Sequence, residues 1–358
     1  MSPAKKPKEL TQLARARRVV AQSIGEVCGA AVLHVRQNGE VICDAAFGTR
    51  APASEPVTSE SLFDLASITK LFVGTALLVL HDARRIALDD TIVGVIPEFA
   101  GRDPRRKHVT YRHLLTHTSG LPAHVNFRDE MGADAVIARV CEAPLSAAPG
   151  TIVTYSDLGF MLAGAAVARI AGAPLEQALS ALVLEPTGIG DTCYRPDPQL
   201  VPTIVCTEND AWRSRLLRGE VHDENCWAMG GVAGHAGLFG TAADTARLAE
   251  MYREGGAVGA VRTLQRPTAN AAVREQAAGA DERRGLAWAL KASDRHSSGS
   301  RLSARAFGHT GYTGTSVWVD PQRSLTVVLF TNRVLFSREV EPIRALRGAV
   351  HDAVVEDL

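Results

Sequence analysis

Residues 67–80 of this 358-residue chain read SITKLFVGTALLVL, a serine followed three positions later by a lysine and then by an uncharged stretch. The stretch predicts a buried helix over 67–85, with Ser67 at its start and Lys70 one turn further on the same face. A serine hydroxyl needs a base to become a nucleophile at neutral pH. Lys70 can be that base if burial and the helix N-terminus lower its pKa. The S-x-x-K spacing is a weak signal alone, because residues 2–5 also match it in a polar tail.

A second candidate element is Pro149-Gly150-Thr151-Ile152-Val153-Thr154-Tyr155-Ser156-Asp157, a turn that leads into a predicted helix over 158–171. A tyrosine at such a turn can present its phenol to a cleft. Beside a lysine, the phenol of Tyr155 could relay a proton to a leaving group. The alternative for this segment alone is a surface turn with a half-buried tyrosine.

The third element is His309-Thr310-Gly311-Tyr312-Thr313-Gly314, directly before a predicted strand over 314–319. Gly311 would let a substrate lie close along the strand edge. The backbone N–H of Tyr312, paired with that of Ser67, would stabilise a developing oxyanion. The alternative is an ordinary glycine turn into an edge strand.

These three elements in this order resemble the serine β-lactamase and penicillin-binding-protein superfamily, whose motifs are S-x-x-K, S-D-N and K-T-G. The chain is most similar to the class C β-lactamase-related branch, in which Y-x-N replaces S-D-N. Residues 110–122 and 230–244 also resemble family segments, so the likeness covers roughly residues 25–355. It implies acyl transfer through Ser67, activated by Lys70 with help from Tyr155, and no metal or organic cofactor.

Two residues depart from the family pattern. Asp157 stands where the family has asparagine; an ionised aspartate can hold Lys70 by charge but cannot donate a hydrogen bond. His309 stands where the family has lysine, which is suited to a substrate carboxylate. These departures favour an ester, an amide or a D-amino-acid peptide without a required carboxylate at that spot.

The order of predicted elements indicates an α/β (α+β) fold. Strand-like runs at 31–36 and 41–47, joined through Asn38-Gly39, predict a hairpin, and further strands are predicted at 285–291, 314–319 and 324–331. Strands at both chain ends predict one antiparallel sheet flanked by N- and C-terminal helices, with an inserted all-helical domain. We expect residues 1–25 to form a tail and helix (helical over 9–26), 26–90 with 232–358 the sheet domain, and 91–231 the inserted domain.

Other candidate residues have structural explanations. His222 precedes a glycine-rich segment and could touch substrate or only brace its loop. His113 and His117 are four residues apart, but no glutamate lies between them to act as a base, so we expect no metal site. The G-x-S-x-G elbow of α/β-hydrolases is absent from the sequence.

Composition limits the function further. The chain has 39 Lys and Arg against 39 Asp and Glu, a balance that argues against nucleic-acid or anionic-membrane surfaces as partners. The polar start, without a following apolar segment, predicts a cytoplasmic protein, and six scattered cysteines are expected to be free thiols.

The substrate class stays open at this stage. We expect a small-molecule ester or amide substrate. The alternative within the enzyme class is a D-amino-acid peptidase or weak β-lactamase. The alternative from another class is a catalytically idle binding protein, although such a protein would be expected to lack Ser67, Lys70 or Tyr155. The sequence does not reveal the oligomeric state.

Overall fold

The computed structural model describes residues 13–280, 282–293 and 296–358. The N-terminal helix predicted over 9–26 is α1, Ala14–Ser23. Residues 9–12 of that prediction, and the second S-x-x-K match at 2–5, lie outside the described residues.

The described residues form strands and helices that we number in chain order. The strands are β1 (Ala30–Gln37), β2 (Glu40–Gly48), β3 (Phe63–Asp64), β4 (Cys193–Tyr194), β5 (Asn209–Asp210), β6 (Arg215–Leu216), β7 (Leu238–Gly240), β8 (Ala257–Val258), β9 (Val261–Arg262), β10 (Ala277–Ala278), β11 (Arg283–Arg284), β12 (Ala289–Leu290), β13 (Phe307–Thr310), β14 (Ser316–Asp320) and β15 (Leu325–Thr331). The helices are α1, α2 (Thr69–Asp82), α3 (Tyr111–Leu115), α4 (Ala133–Glu142), α5 (Asp157–Ala171), α6 (Leu175–Leu179), α7 (Glu185–Thr187), α8 (Glu224–Ala228), α9 (Ala242–Arg253), α10 (Arg266–Ala272) and α11 (Val340–Asp357).

The main sheet has eight antiparallel strands in the order β10-β11-β12-β13-β14-β15-β1-β2. Strand β1 pairs with β15 from Ala31 opposite Thr331 to Gln37 opposite Leu325. Strands from the two ends of the chain are therefore neighbours, as predicted. The β1–β2 hairpin turns at Asn38 and Gly39, both with positive φ, the conformation that Asn-Gly favours.

Successive side chains of a strand point to opposite faces of the sheet, and each face has its own core. Trp318 and Val327 lie in the core formed with α1 and α11. Val317 and Val328 lie in the larger core, which also contains α2, α5 and α9. The terminal helices thus flank the sheet, which confirms that part of the predicted fold.

The segment between the two sheet portions is rich in helices. Its helices α3 to α8 are accompanied by the short strands β4, β5 and β6, and β4 joins β3 and β7 in a separate three-stranded sheet. Helix α2 is buried on nearly all sides, as its uncharged sequence predicts. The boundaries proposed for the inserted domain stay a prediction.

No single helix in the described ranges has the length and apolar character needed to cross a membrane. One bent pair, Asp157–Ala171 with Leu175–Thr187, meets that test jointly on length and composition, with an angle of 79° between its parts.

Candidate active site

Ser67 lies in a 3-10 turn, Ala66–Ile68, immediately before α2, which begins at Thr69 and not at Ser67 as predicted. The preceding residue, Ala66, has φ +46°, a left-handed conformation that a residue with a Cβ seldom adopts. Asp64, buried at the end of β3, accepts a hydrogen bond from the Ala66 N–H at 2.9 Å. This bond supports a sharp bend that places Ser67 at the edge of a cavity.

Lys70 is fully buried beneath Ser67 and makes three polar contacts. Its Nζ lies 2.9 Å from Ser67 Oγ, 3.0 Å from the His235 carbonyl and 2.8 Å from Asp157 Oδ1. Burial acts to lower the pKa of Lys70, but the ion pair with Asp157 and the contact with Tyr155 outweigh it, so the pKa is raised. The expectation of a lowered lysine pKa is therefore wrong, because Asp157 compensates for burial. The same ion pair holds the pKa of Asp157 well below its usual range, although burial opposes the shift.

Tyr155 packs directly against the lysine and a buried histidine. Its ring centroid lies 4.9 Å from Lys70 Nζ and 4.5 Å from the ring of His117. Nδ1 of His117 accepts a hydrogen bond from the Ser156 N–H at 3.0 Å. Burial lowers the pKa of His117 well below its ordinary value, so this ring is a neutral acceptor. His117 thus fixes the turn that carries Tyr155, which gives the His113–His117 spacing a structural role.

The His309-Thr310-Gly311 motif ends a strand that the sequence analysis did not predict. His309 and Thr310 are the last residues of β13, and residues 311–315 make the turn into β14. On its other side β13 pairs with β12 only at Phe307 and Gly308. In the described residues, β13 therefore has no β12 partner at His309 and Thr310, and both residues line the cavity beside Ser67.

Two threonine hydroxyls attach the 311–315 turn to the segment before Ser67. Thr313 Oγ1 donates to the Asp64 carbonyl at 2.8 Å, and Thr315 Oγ1 donates to the Leu65 carbonyl at 3.0 Å. Gly311 is required at this approach, because a Cβ there would lie 2.6 Å from the Leu65 carbonyl oxygen. These contacts hold the 311–315 turn against residues 64–66, which directly precede Ser67. The pairing of the Tyr312 and Ser67 N–H groups as oxyanion donors stays a prediction.

A cavity of about 670 Å³ brings the predicted residues together. All of them except Lys70, which lies beneath the floor, line its walls: Ser67, Tyr155, Asp157, His222, His309, Thr310, Gly311 and Tyr312. Tyr312 is 44% exposed and lies between the ring of His222 at 5.7 Å and the guanidinium of Arg333 at 4.6 Å. The cavity is thus a single cleft with the candidate nucleophile at its wall.

His222 has most of its polar groups engaged by the protein. The backbone N–H of His222 donates to Asp64 Oδ2 at 2.7 Å, and the ring atom Nε2 lies 2.6 Å from Glu208 Oε2. These contacts favour a brace for the Tyr312 side of the cleft. Contact with substrate through the ring of His222 stays a prediction.

Arg284 is a cation in the same cleft that was not predicted from the sequence. Its side chain is 9% exposed, its guanidinium lies 5.2 Å from the Tyr155 ring centroid, and it pairs with Glu282 at 2.8 Å. Burial, Arg284 and Lys70 together lower the pKa of His309 to about 3. His309 is therefore neutral at physiological pH, while Arg284 supplies a positive charge beside it. No motif marks Arg284, which lies within a charged run at 282–284.

His235 and Asp223 form a second contact between a histidine and a carboxylate, next to Lys70. His235 Nε2 lies 2.8 Å from Asp223 Oδ1, and the carbonyl of His235 accepts from Lys70. Asp223 also caps α8 by accepting from the Cys226 N–H. This pair fixes one of the three acceptors around the Lys70 ammonium.

A scan against protein-family models matches the family described as Beta-lactamase over residues 16–350. The chain belongs to the Beta-lactamase family. This membership confirms the resemblance to class C β-lactamases and penicillin-binding proteins, and it makes the chain a member of a serine hydrolase family.

Among the relatives of this Beta-lactamase family member is an Escherichia coli (strain K12) protein named "Putative D-alanyl-D-alanine carboxypeptidase". It is 31% identical over 305 residues, which cover 77% of this chain and 70% of the relative.

Solved structures show the same fold. A hydrolase with promiscuous acyltransferase activity, EstCE1, matches with a TM-score of 0.76 and 24% identity over 96% of this chain and 99% of the other. A class C β-lactamase from Rhodobacter sphaeroides matches with a TM-score of 0.76 and 17% identity over 96% and 99%. At these identities the likeness establishes the fold alone, and it confirms the predicted fold class.

Proposed function

We propose that this chain hydrolyses an amide or ester bond through an acyl-enzyme on Ser67, and that its substrate is a peptide ending in a D-amino-acid carboxylate. The observation that carries the proposal is the contact of Lys70 Nζ with both Ser67 Oγ and Asp157 below an open cleft. A nucleophile, a base and a group that orients the base are the parts that nucleophilic catalysis needs.

The reaction can be followed atom by atom. Ser67 Oγ bonds to the substrate carbonyl carbon while its proton passes to the neutral form of Lys70. The carbonyl oxygen becomes an oxyanion, which the N–H groups of Ser67 and Tyr312 stabilise. The scissile bond breaks, and Tyr155 relays the lysine's proton to the leaving group. Water then attacks the acyl-enzyme by the same route, which releases the acid and restores the Ser67 hydroxyl.

The preference for a carboxylate rests on Arg284. His309 alone favours uncharged substrates, because it is neutral and lacks the charge of a lysine. Arg284 changes that expectation, because it is a cation that lines the same cleft and has Nη1 without a hydrogen bond to the described residues. The D-configuration rests on the name of the E. coli relative. A second candidate, hydrolysis of uncharged esters, is favoured by the neutral state of His309.

The test compares the turnover of three substrates by the wild type and by two serine variants. Wild-type protein is given a peptide ending in D-Ala-D-Ala, the same peptide ending in D-Ala-L-Ala, and p-nitrophenyl acetate. We expect Ser67→Ala to abolish turnover of every substrate that the wild type cleaves. Ser297→Ala alters another serine of the cleft and should keep wild-type turnover.

Labelling identifies the nucleophile independently. A fluorophosphonate and a fluorescent penicillin, each followed by peptide mapping, should modify Ser67. Wild-type turnover in Ser67→Ala, or a label on another serine, would contradict the mechanism. Cleavage of the ester without cleavage of either peptide would favour the second candidate.

A further inference from the structure

Arg347 on α11 is a buried cation that has no acidic partner among the described residues. It is 5% exposed, and none of the ion pairs found among the described residues includes it. Burial, reinforced by Arg333, lowers its pKa to about 9, which leaves it charged at neutral pH. A buried unpaired charge is costly unless it meets strong acceptors.

The acceptors of Arg347 are two carbonyl groups of the 311–315 turn. Its Nη2 lies 2.8 Å from the Gly311 oxygen and 2.8 Å from the Thr315 oxygen. The Gly311 carbonyl and the Tyr312 N–H belong to the same planar peptide group. A cation hydrogen-bonded to the oxygen of a peptide draws electron density toward it and strengthens the N–H as a donor, because linked hydrogen bonds polarise one another.

We propose that Arg347 is a positioning residue that aims and polarises the Tyr312 N–H, and thereby strengthens the oxyanion site through the Gly311 carbonyl. The inference rests on the acyl-enzyme function proposed above. Arg347 acts through the backbone and need not touch the substrate.

The surrounding bonds support a specific role in this turn. The Thr315 oxygen that Arg347 contacts also accepts from the Gly311 N–H at 2.7 Å, so the guanidinium braces a closed loop of the backbone. On the far side of Tyr312, Arg333 Nε donates to the Tyr312 carbonyl at 2.9 Å. The peptide groups on both sides of Tyr312 therefore each have an arginine hydrogen-bonded to their oxygen.

The test separates transition-state stabilisation from substrate binding. Arg347→Met removes the charge and the donors while keeping a long apolar chain. With p-nitrophenyl acetate we expect kcat/KM to fall by about tenfold, less than the roughly hundredfold or greater loss typical of deleting an oxyanion donor. KM should change little, and the affinity for a boronic acid that forms a tetrahedral adduct on Ser67 should fall by the same factor as kcat/KM.

Arg347→Lys and Arg347→Gln isolate the charge. Both keep a donor, but only lysine keeps the cation, so lysine should recover more activity than glutamine. This comparison also decides the matter if Arg347→Met does not fold. Arg106→Met is the matched control: Arg106 is 4% exposed and donates to the Cys141 and Ala143 carbonyls far from the cleft. It should lower the melting temperature without lowering kcat/KM or boronate affinity more than about twofold.

Each outcome has a distinct meaning. Unchanged kcat/KM in Arg347→Met, a loss confined to KM, or equal activity in the lysine and glutamine variants overturns this inference and leaves the proposed function intact. An equal loss of activity in Arg106→Met also overturns it, since general destabilisation would then explain the effect. If the wild type shows no turnover that depends on Ser67, the proposed function fails and this inference fails with it.

Discussion

Removing the charge of Arg284 and removing the charge of Glu282 should change the preference for a substrate carboxylate in opposite directions. Glu282 Oε2 accepts from Arg284 Nε at 3.1 Å and from Nη2 at 2.8 Å. Nη1 has no hydrogen bond to the residues that the structure describes, and we expect it to meet a substrate carboxylate. One charge-assisted hydrogen bond contributes about 1.5–3 kcal/mol. Because Glu282 shares the guanidinium, the lower value applies, and about 1.4 kcal/mol corresponds to tenfold. Arg284→Gln should therefore lower the preference for a carboxylate by about tenfold.

Glu282→Gln should have the reverse effect. The Glu282 side chain is 44% exposed, so its repulsion of a substrate carboxylate is screened to roughly 1 kcal/mol or less. Removing that charge while keeping an acceptor oxygen should raise the preference by up to about fivefold.

The assay compares two substrates that differ only at the terminus, a D-Ala-D-Ala peptide and its C-terminal amide. Chromatography of the released D-alanine or D-alaninamide gives kcat/KM for each, and the ratio cancels differences in enzyme stability. Arg283→Gln is the control, because Arg283 precedes Arg284 but pairs with Glu275 and does not line the cleft. An unchanged ratio in Arg284→Gln, or equal shifts in both arginine variants, would refute the assignment of Arg284 as the carboxylate anchor.

Three further predictions concern charge and pH. Since Asp157 raises the pKa of Lys70, the wild-type rate should rise toward alkaline pH. Asp157→Asn should move that rise to lower pH, whereas the control Asp223→Asn should leave it in place. A rate that peaks near pH 4–5 would contradict a lysine base. His309→Lys should raise kcat/KM for penicillins relative to neutral esters by about tenfold, from one added charge-assisted bond, and an unchanged ratio at pH 8 would refute our interpretation of this position. Burial lowers the pKa of His351 to about 4 in the folded protein, so the unfolded chain protonates this histidine at a higher pH than the folded chain does. The free energy of unfolding should therefore fall as pH drops from about 6.5 toward 4, by about 3 kcal/mol for a shift of this size. Calorimetry should show a shallower fall in His351→Gln than in wild type.

Local patterns in the sequence predicted local geometry well. The contact of Ser67 with Lys70 follows from a spacing of three residues along one turn, and the hairpin follows from Asn38-Gly39. The pairing of β1 with β15 is a long-range contact, but the presence of strands at both chain ends implied it.

What the sequence did not predict depends on contacts between distant segments. β13 was missed because it has only four residues and contains Gly308, whose missing Cβ leaves room for the Trp318 ring. Asp157 was expected to hold Lys70 by charge, but the raised pKa of Lys70 was not predicted, because it depends on how closely the start of α5 brings the carboxylate to the buried ammonium. Arg284 reaches the cleft only through the order of strands in the sheet, which no local pattern of residues reveals.

The two departures from the family motifs are best understood together with Arg284. A lysine at position 309 would add a third cation to a region where Lys70 and Arg284 already lower the pKa of His309. A neutral histidine avoids that repulsion, and an aspartate at position 157 balances the positive charge of Lys70 in an ion pair. Because Lys70 is fully buried and paired, its charge is not available to a substrate, whereas Arg284 lines the cleft. The residue that recognises a carboxylate in this protein should therefore lie on β11, two strands away from the motif strand β13, and not within the motif itself.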